Sequence, residues 1–256
     1  MKTFSAEIKE FLEERVNRYN QPGFIETDPI CIPHRFERKE DIEIAGFLTA
    51  TIAWGSRTTI IKNALKLMEL MGNAPFDFVM SHQEYQLERF DGFAHRTFNQ
   101  SDILYFIKSL KYLYQERGGM EPVFSEYATS TSTQPAIHEF RKIFFSHADP
   151  GRTSKHLSDP AKGSAAKRVN MFLRWMVRDD RRGVDFGIWK GIKPAQLSCP
   201  LDVHSGNAAR KLGLLTRKQN DARALEELDR NLRLLDPLDP VKFDFALFGL
   251  GVFEKF

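Results

Sequence analysis

Apolar side chains recur at i, i+3, i+4 and i+7 along most of this chain, and no stretch sustains a period-two alternation. A chain patterned that way buries its apolar surface as helices packed on helices, not as sheets. The spacing predicts helices at 5–19, 39–53, 57–72, a short one from Pro75, and 102–116 with Ser101 as its N-cap. It predicts others at 135–146, 167–178, 203–212, 221–235 and 240–248. The expected fold class is all-α. Between these helices, 20–38 carries Pro22, Pro29 and Pro33 and reads as an extended connection. The stretch 118–134 is rich in Gly, Ser and Thr and contains a loop, 147–166 is polar, and 178–197 is basic and punctuated by Gly and Pro.

Charge is distributed unevenly. The chain as a whole carries a formal +3, which does not by itself announce a polyanionic partner. Between Lys162 and Lys193, however, nine lysines and arginines face only three aspartates, a local excess larger than that of the entire chain. The two cysteines, Cys31 and Cys199, are too few for a four-cysteine cluster, and no His-Glu-x-x-His set accompanies His204, so no metal or cofactor is expected. The first residues lack an apolar signal core, and no run approaches the ~20 apolar residues of a membrane span. A cytoplasmic protein without a membrane partner is expected.

The segment 167–178 has the sharpest polarity. Val169, Phe172, Leu173, Met176 and Val177 form its apolar stripe, and Lys167, Met171, Arg174 and Arg178 share the other face. One side is built for a core, the other for something anionic. Lys167 stands at the helix start, where the positive end of the backbone dipole disfavours an added charge. Asp202, after Pro200, stands where another helix begins. A lysine amine and a carboxylate from separate helix starts make a candidate nucleophile and partner. Asp202 could also serve as the N-cap of its own helix.

These residues resemble a known family. Pro200-Leu201-Asp202-Val203-His204, followed by Arg210-Lys211-Leu212-Gly213, resembles the segment around the essential aspartate of the helix-hairpin-helix (HhH-GPD) DNA glycosylases. Leu48 to Thr59 is similar to their early helix and turn. Lys167 with Met171-Phe172-Leu173-Arg174 resembles the catalytic-lysine helix of the 8-oxoguanine glycosylases. The resemblance spans roughly residues 40–215 and is closest to the archaeal type, which shares the long lysine-to-aspartate spacing. It departs at the hairpin. The family's Leu-Pro-Gly-Val-Gly is replaced by Leu157-Ser158-Asp159-Pro160-Ala161-Lys162-Gly163-Ser164, with one glycine and a longer step to Lys167.

The resemblance implies a single unit over 1–256. Helical subdomains at about 40–150 and 151–215 would flank a DNA-binding cleft, with 1–39 and 216–256 packed around them. It implies a DNA base-excision repair glycosylase with lyase activity on an oxidised purine, its partner being double-stranded DNA with a damaged base. No obligatory protein partner is implied. Lys167 would attack C1′ and form a Schiff base, and Asp202 would stabilise positive charge on the sugar. DNA contacts would come from Gly163, Ser164, Arg168, Arg174, Arg57 and His204. Trp54, Met171, Phe172, Trp175 and Trp189 are the side chains available to wall the pocket of the extruded base. Two rivals remain at this point: a nucleic-acid-binding protein that kept the scaffold and lost the reaction, and an abasic-site lyase that removes no base.

Overall fold

The computed structural model describes residues 6–256, so Ser5, the expected start of the first helix, lies outside the described residues. The chain is mostly helical, 65% helix against 2% strand. Eleven α-helices are described: α1 (Ala6–Tyr19), α2 (Lys39–Thr51), α3 (Arg57–Leu70), α4 (Pro75–Ser81), α5 (Gln100–Glu116), α6 (Met120–Tyr127), α7 (Gln134–Phe144), α8 (Lys167–Val177), α9 (Val203–Lys211), α10 (Ala222–Leu235) and α11 (Phe243–Val252). The all-α expectation holds, with local corrections. Residues 22–35 are not extended but wind into three 3-10 turns, each opening on a proline, whose fixed φ suits a first helical position. Helix α6 occupies the first part of the 118–134 stretch, and the expected loop follows it at 128–133. The N-cap of α5 is Asn99, not Ser101, because Asp102 Oδ2 reaches back to the Asn99 N–H at 2.9 Å. A two-residue hairpin, Ala94–His95 with Phe98–Asn99, precedes it.

Buried side chains form two clusters. The first gathers α2 to α8 and the connection up to Leu197, around a knot of phenylalanines. There Phe47 meets the edges of Phe140, Phe144 and Phe172 at 5.5–5.6 Å, and Phe124 stacks on Phe140 at 4.2 Å. The second gathers α1, α9, α10 and α11. These memberships run across the boundaries near 150 and 215 drawn from the sequence. Helix α11 belongs to both clusters: Phe245 faces the first, while Phe243, Ala246, Leu247 and Leu250 face the second. A helix sandwiched in this way is apolar on nearly every face, with Asp244 its one charged residue. Its glycines admit close neighbours. A Cβ at Gly249 would run into the Tyr19 ring of α1, and one at Gly251 would lie 2.7 Å from the His204 carbonyl of α9.

The polar face of α8 finds its anions inside the protein. Arg174, 4% exposed, is ion-paired with Asp244 of α11 and with Asp185 at 3.2 Å. Arg178 binds Asp185 at 3.1 Å, Asp239 at 2.9 Å and Asp180 at 2.8 Å. Arg174 is therefore no DNA contact; it is a buried clasp between the two clusters. Removing a partner from a buried charge set costs about 3–5 kcal/mol, because the remaining charges cannot be resolvated. Arg174→Met is expected to lower the unfolding free energy by about that amount, measured by urea denaturation, since it strands Asp244 without its cation.

Candidate functional site

Lys167 and Asp202 come together at the seam between the clusters. Ala166, in the left-handed conformation at φ +43°, turns the chain sharply into α8 and sets Lys167 at its first position. Asp202 is the N-cap of α9, and its two oxygens divide the work. Oδ1 accepts hydrogen bonds from the N–H groups of His204 (2.8 Å) and Ser205 (3.0 Å), while Oδ2 lies 3.6 Å from Lys167 Nζ. The Asn220 side-chain amide donates to the Asp202 carbonyl at 2.9 Å, and the Ser205 hydroxyl accepts from the Asp202 N–H at 2.9 Å. The carboxylate is thus held by its own backbone and aimed at the amine. Both side chains keep access to solvent, 29% exposed for Lys167 and 25% for Asp202.

They share the wall of a cavity of about 720 Å³. Asp28, Trp54, Gly55, Arg57, Lys167, Arg168 and Met171, from segments up to α8, line it together with Asp202, Val203, His204, Phe248 and Val252 from the start of α9 and from α11. This size is within the ~300–1,000 Å³ typical of small-ligand sites. Among the described residues no group of three His, Cys, Asp or Glu is arranged to hold a metal ion.

Deeper in the seam are two carboxyls that no motif or spacing singles out. Asp28 accepts from the Ile30 N–H at 3.1 Å, and burial raises its pKa above the ordinary carboxylate value, against the pull of Arg174, Arg57 and Lys167. Burial pushes Asp244 up to about 6, opposed by Arg174. Both line a smaller recess that also reaches Lys167, Met171 and Phe248. Asp28 hides in a proline-rich connection and Asp244 in a phenylalanine run, so neither stands in a recognisable pattern.

The aromatics read as a base pocket divide cleanly. Trp54 and Met171 are half-buried and line the cavity. Phe172, Trp175 and Trp189 do not: all three are in the phenylalanine core, with Trp189 edge-on to Phe172 at 5.4 Å and donating its indole N–H to Glu43 at 2.6 Å. Helical spacing placed Phe172 on the apolar stripe, and no local signal separated Trp175 or Trp189 from an exposed ring. Phe248, within the helix predicted at 240–248, is a further wall of the cavity.

The expected DNA contacts divide as well. Arg168 lies 4.7 Å over the Trp54 ring and donates to the carbonyls of Thr51 and His156 (3.1 Å to the latter), so it braces the wall rather than reaching outward. Burial pulls its pKa down to about 10, which leaves it charged at neutral pH. Gly163 adopts φ +86° after a 3-10 turn, Pro160–Lys162, not after an α-helix. Its N–H and that of Ser164 donate to Pro160 (2.9 Å) and Asp159 (3.3 Å), so these amides are already engaged within the turn. His204 is exposed at the rim. Arg57 lines the cavity and acts on Asp28 at longer range, with no direct ion pair to a carboxylate among the described residues.

Behind Trp54, His156 stacks at 6.0 Å and His95 meets the indole edge at 5.0 Å. Burial, with help from Arg168 and Lys155, drives His156 down to about 4. Asp102, 3.2 Å away but poorly aligned for a hydrogen bond, pulls the other way.

The chain belongs to the family described as "Protein of unknown function (DUF2400)", whose family model matches residues 28–253. Comparison with curated proteins and with solved structures finds no match. Among the described residues no helix is long and apolar enough to cross a membrane.

Two outcomes follow from this geometry. Asp202→Ala removes the α9 cap and is expected to cost about 1 kcal/mol of stability, whereas Asp202→Asn keeps an acceptor for the cap and costs less, by thermal or urea denaturation. His156 is neutral in the folded protein down to about pH 4, while in the unfolded chain it takes up a proton near ~6.5. Its contribution to stability is therefore complete above that value and is lost as pH falls from there to about 4. His156→Gln should remove this part of the acid-side decline in the urea midpoint.

Proposed function

We propose that this DUF2400 protein is a DNA glycosylase with abasic-site lyase activity, acting on an oxidised purine such as 8-oxoguanine. The observation that carries the reading is the Lys167 amine set 3.6 Å from the Asp202 carboxylate on the wall of one solvent-accessible cavity. The two residues are far apart in the chain, and each belongs to a segment resembling the catalytic segment of the helix-hairpin-helix glycosylases. The seam between the two clusters then serves as the DNA-binding cleft, with the extruded nucleotide in the cavity.

The chemistry follows from the pair. Asp202 carries negative charge beside the sugar as the glycosidic bond stretches and C1′ becomes cationic, a preorganised interaction of the kind worth several kcal/mol in a transition state. The Lys167 nitrogen, having lost its proton, bonds to C1′. The base leaves with the bonding electron pair and is protonated. Opening of the sugar ring yields a protonated Schiff base, and loss of a C2′ proton then expels the 3′ phosphate. Trp54, Met171 and Phe248 supply the flat and apolar surfaces against which a base is held. DNA docking in this reading depends less on the 162–193 stretch than its composition indicated. Arg174 and Arg178 are consumed internally, and Lys190 is 3.6 Å from Asp179. Arg57 and His204 at the cavity are the remaining candidates from the original set.

Duplexes with an intact 8-oxoguanine and with a bare abasic site, offered side by side with borohydride, test the reading. Wild-type protein should be trapped on both, and Lys167→Gln on neither. Asp202→Asn should lower base release by roughly 100-fold or more. Trapping on the abasic duplex alone identifies a lyase that removes no base. Salt-sensitive binding without any trap would leave a non-catalytic nucleic-acid-binding protein.

A further inference from the structure

The start of α3 shows several features that converge on an anion. Arg57, at the first position of that helix, lays its guanidinium over the Phe248 ring at 4.8 Å and lies 5.3 Å from the Phe253 ring. Its Nη2 is shielded from solvent yet has no hydrogen-bond partner. Leaving one donor of a charged group buried and unpaired is costly. The other shielded arginines near the seam avoid this cost, Arg174 and Arg178 through carboxylates and Arg168 through carbonyls. A guanidinium set over aromatic rings and lacking an ion-pair partner keeps N–H donors that suit phosphate oxygens.

The backbone beside it fits the same ligand. Ser56, at the N-cap position of α3, makes no side-chain cap, so the positive end of a 14-residue helix has no anion of its own. Gly55 precedes it at φ +107°, exposed and without a side chain. A Cβ there would lie 2.7 Å from Arg96 Nη1, so a second guanidinium overhangs the same turn. Gly55 and Arg57 line the cavity that holds Lys167 and Asp202.

We propose that the Gly55–Arg57 turn, with Arg57 as the principal ligand and Arg96 as the second, is a phosphate-binding subsite. It receives the phosphate of the sugar whose C1′ meets Lys167. This deepens the reading above, on which the identity of that sugar rests, and assigns Arg57 the specific task of fixing the sugar through its phosphate. The phosphate could belong to a DNA strand or to a free sugar phosphate, and the experiment separates the two.

The probe is 2-deoxyribose 5-phosphate, compared with 2-deoxyribose, each incubated with the full chain and cyanoborohydride. In the trapped reaction the Lys167 nitrogen bonds to the aldehyde carbon, the carbonyl oxygen leaves as water, and cyanoborohydride delivers hydride to the iminium carbon. Peptide mass spectrometry locates the adduct. Wild-type protein should label Lys167 with the phosphorylated sugar at about tenfold lower concentration than with the plain sugar. Arg57→Gln should erase that preference, Arg96→Gln should weaken it, and Arg57→Lys should retain part of it, which guards against a merely misfolded variant. Equal labelling by the two sugars in wild-type protein, or an unchanged preference in Arg57→Gln, overturns the subsite. Binding of a duplex with a non-reactive tetrahydrofuran abasic analogue supplies the second arm. A phosphate preference that disappears in Arg57→Gln, together with no duplex binding, keeps the subsite and removes the DNA reading. Duplex binding and trapping indifferent to Arg57 do the reverse.

Discussion

The ion pair between Arg174 and Asp244 is the constraint on which the arrangement turns. A guanidinium buried this deeply needs carboxylates within reach, and the packing of α8 beside α11 brings Asp244 to it while Asp185 meets its Nε. Once α8 is clasped to α11, the start of α8 is fixed beside the seam, and with it Lys167. Helix α9 then packs on α11, closely enough that Gly251 has no room for a side chain opposite the His204 carbonyl. The start of α9, where Asp202 stands, is fixed by the same frame. The 3.6 Å approach of amine and carboxylate is thus a consequence of packing two steps away from it.

That arrangement also explains the uneven distribution of polar groups around the cavity. Beneath Lys167, charges are compensated inside the protein: Arg174 by Asp244 and Asp185, Arg178 by three aspartates. Above it, on the α2–α3 side, they are not. Arg57 rests on phenylalanine rings, and Arg168 is held by carbonyls over Trp54. Buried cations on one half of the seam are thus neutralised by carboxylates in direct ion pairs, whereas those on the other half share a cavity with Asp28 without pairing to it directly.

Part of this was legible from residues alone. The stripe Val169, Phe172, Leu173, Met176 and Val177 predicts α8 almost to the residue, because helical amphipathicity is a local property. Asp202 after Pro200 predicts a cap, because an N-cap is satisfied by amides two and three residues on. The proline-rich connection misled, since proline bars an interior helical position but favours the first position of a short 3-10 turn. Arg174 misled too. Its face required an anion, but the sequence could not say that the anion was Asp244, seventy residues on.

The sequence by itself determined the helical periods, the caps, and which face of each helix must be buried, all set by neighbours within one or two turns. The tertiary structure alone decided which polar faces meet solvent and which meet buried carboxylates. It sent Trp175 and Trp189 into the core and left Trp54 at a cavity. It also brought Asp28 and Phe248, from opposite ends of the chain, to the same wall as Lys167. The physical reason is one of range. Secondary structure answers to local hydrogen bonds and side-chain spacing, whereas the partner of a charge or a ring is chosen by whatever segment the packed cores bring against it.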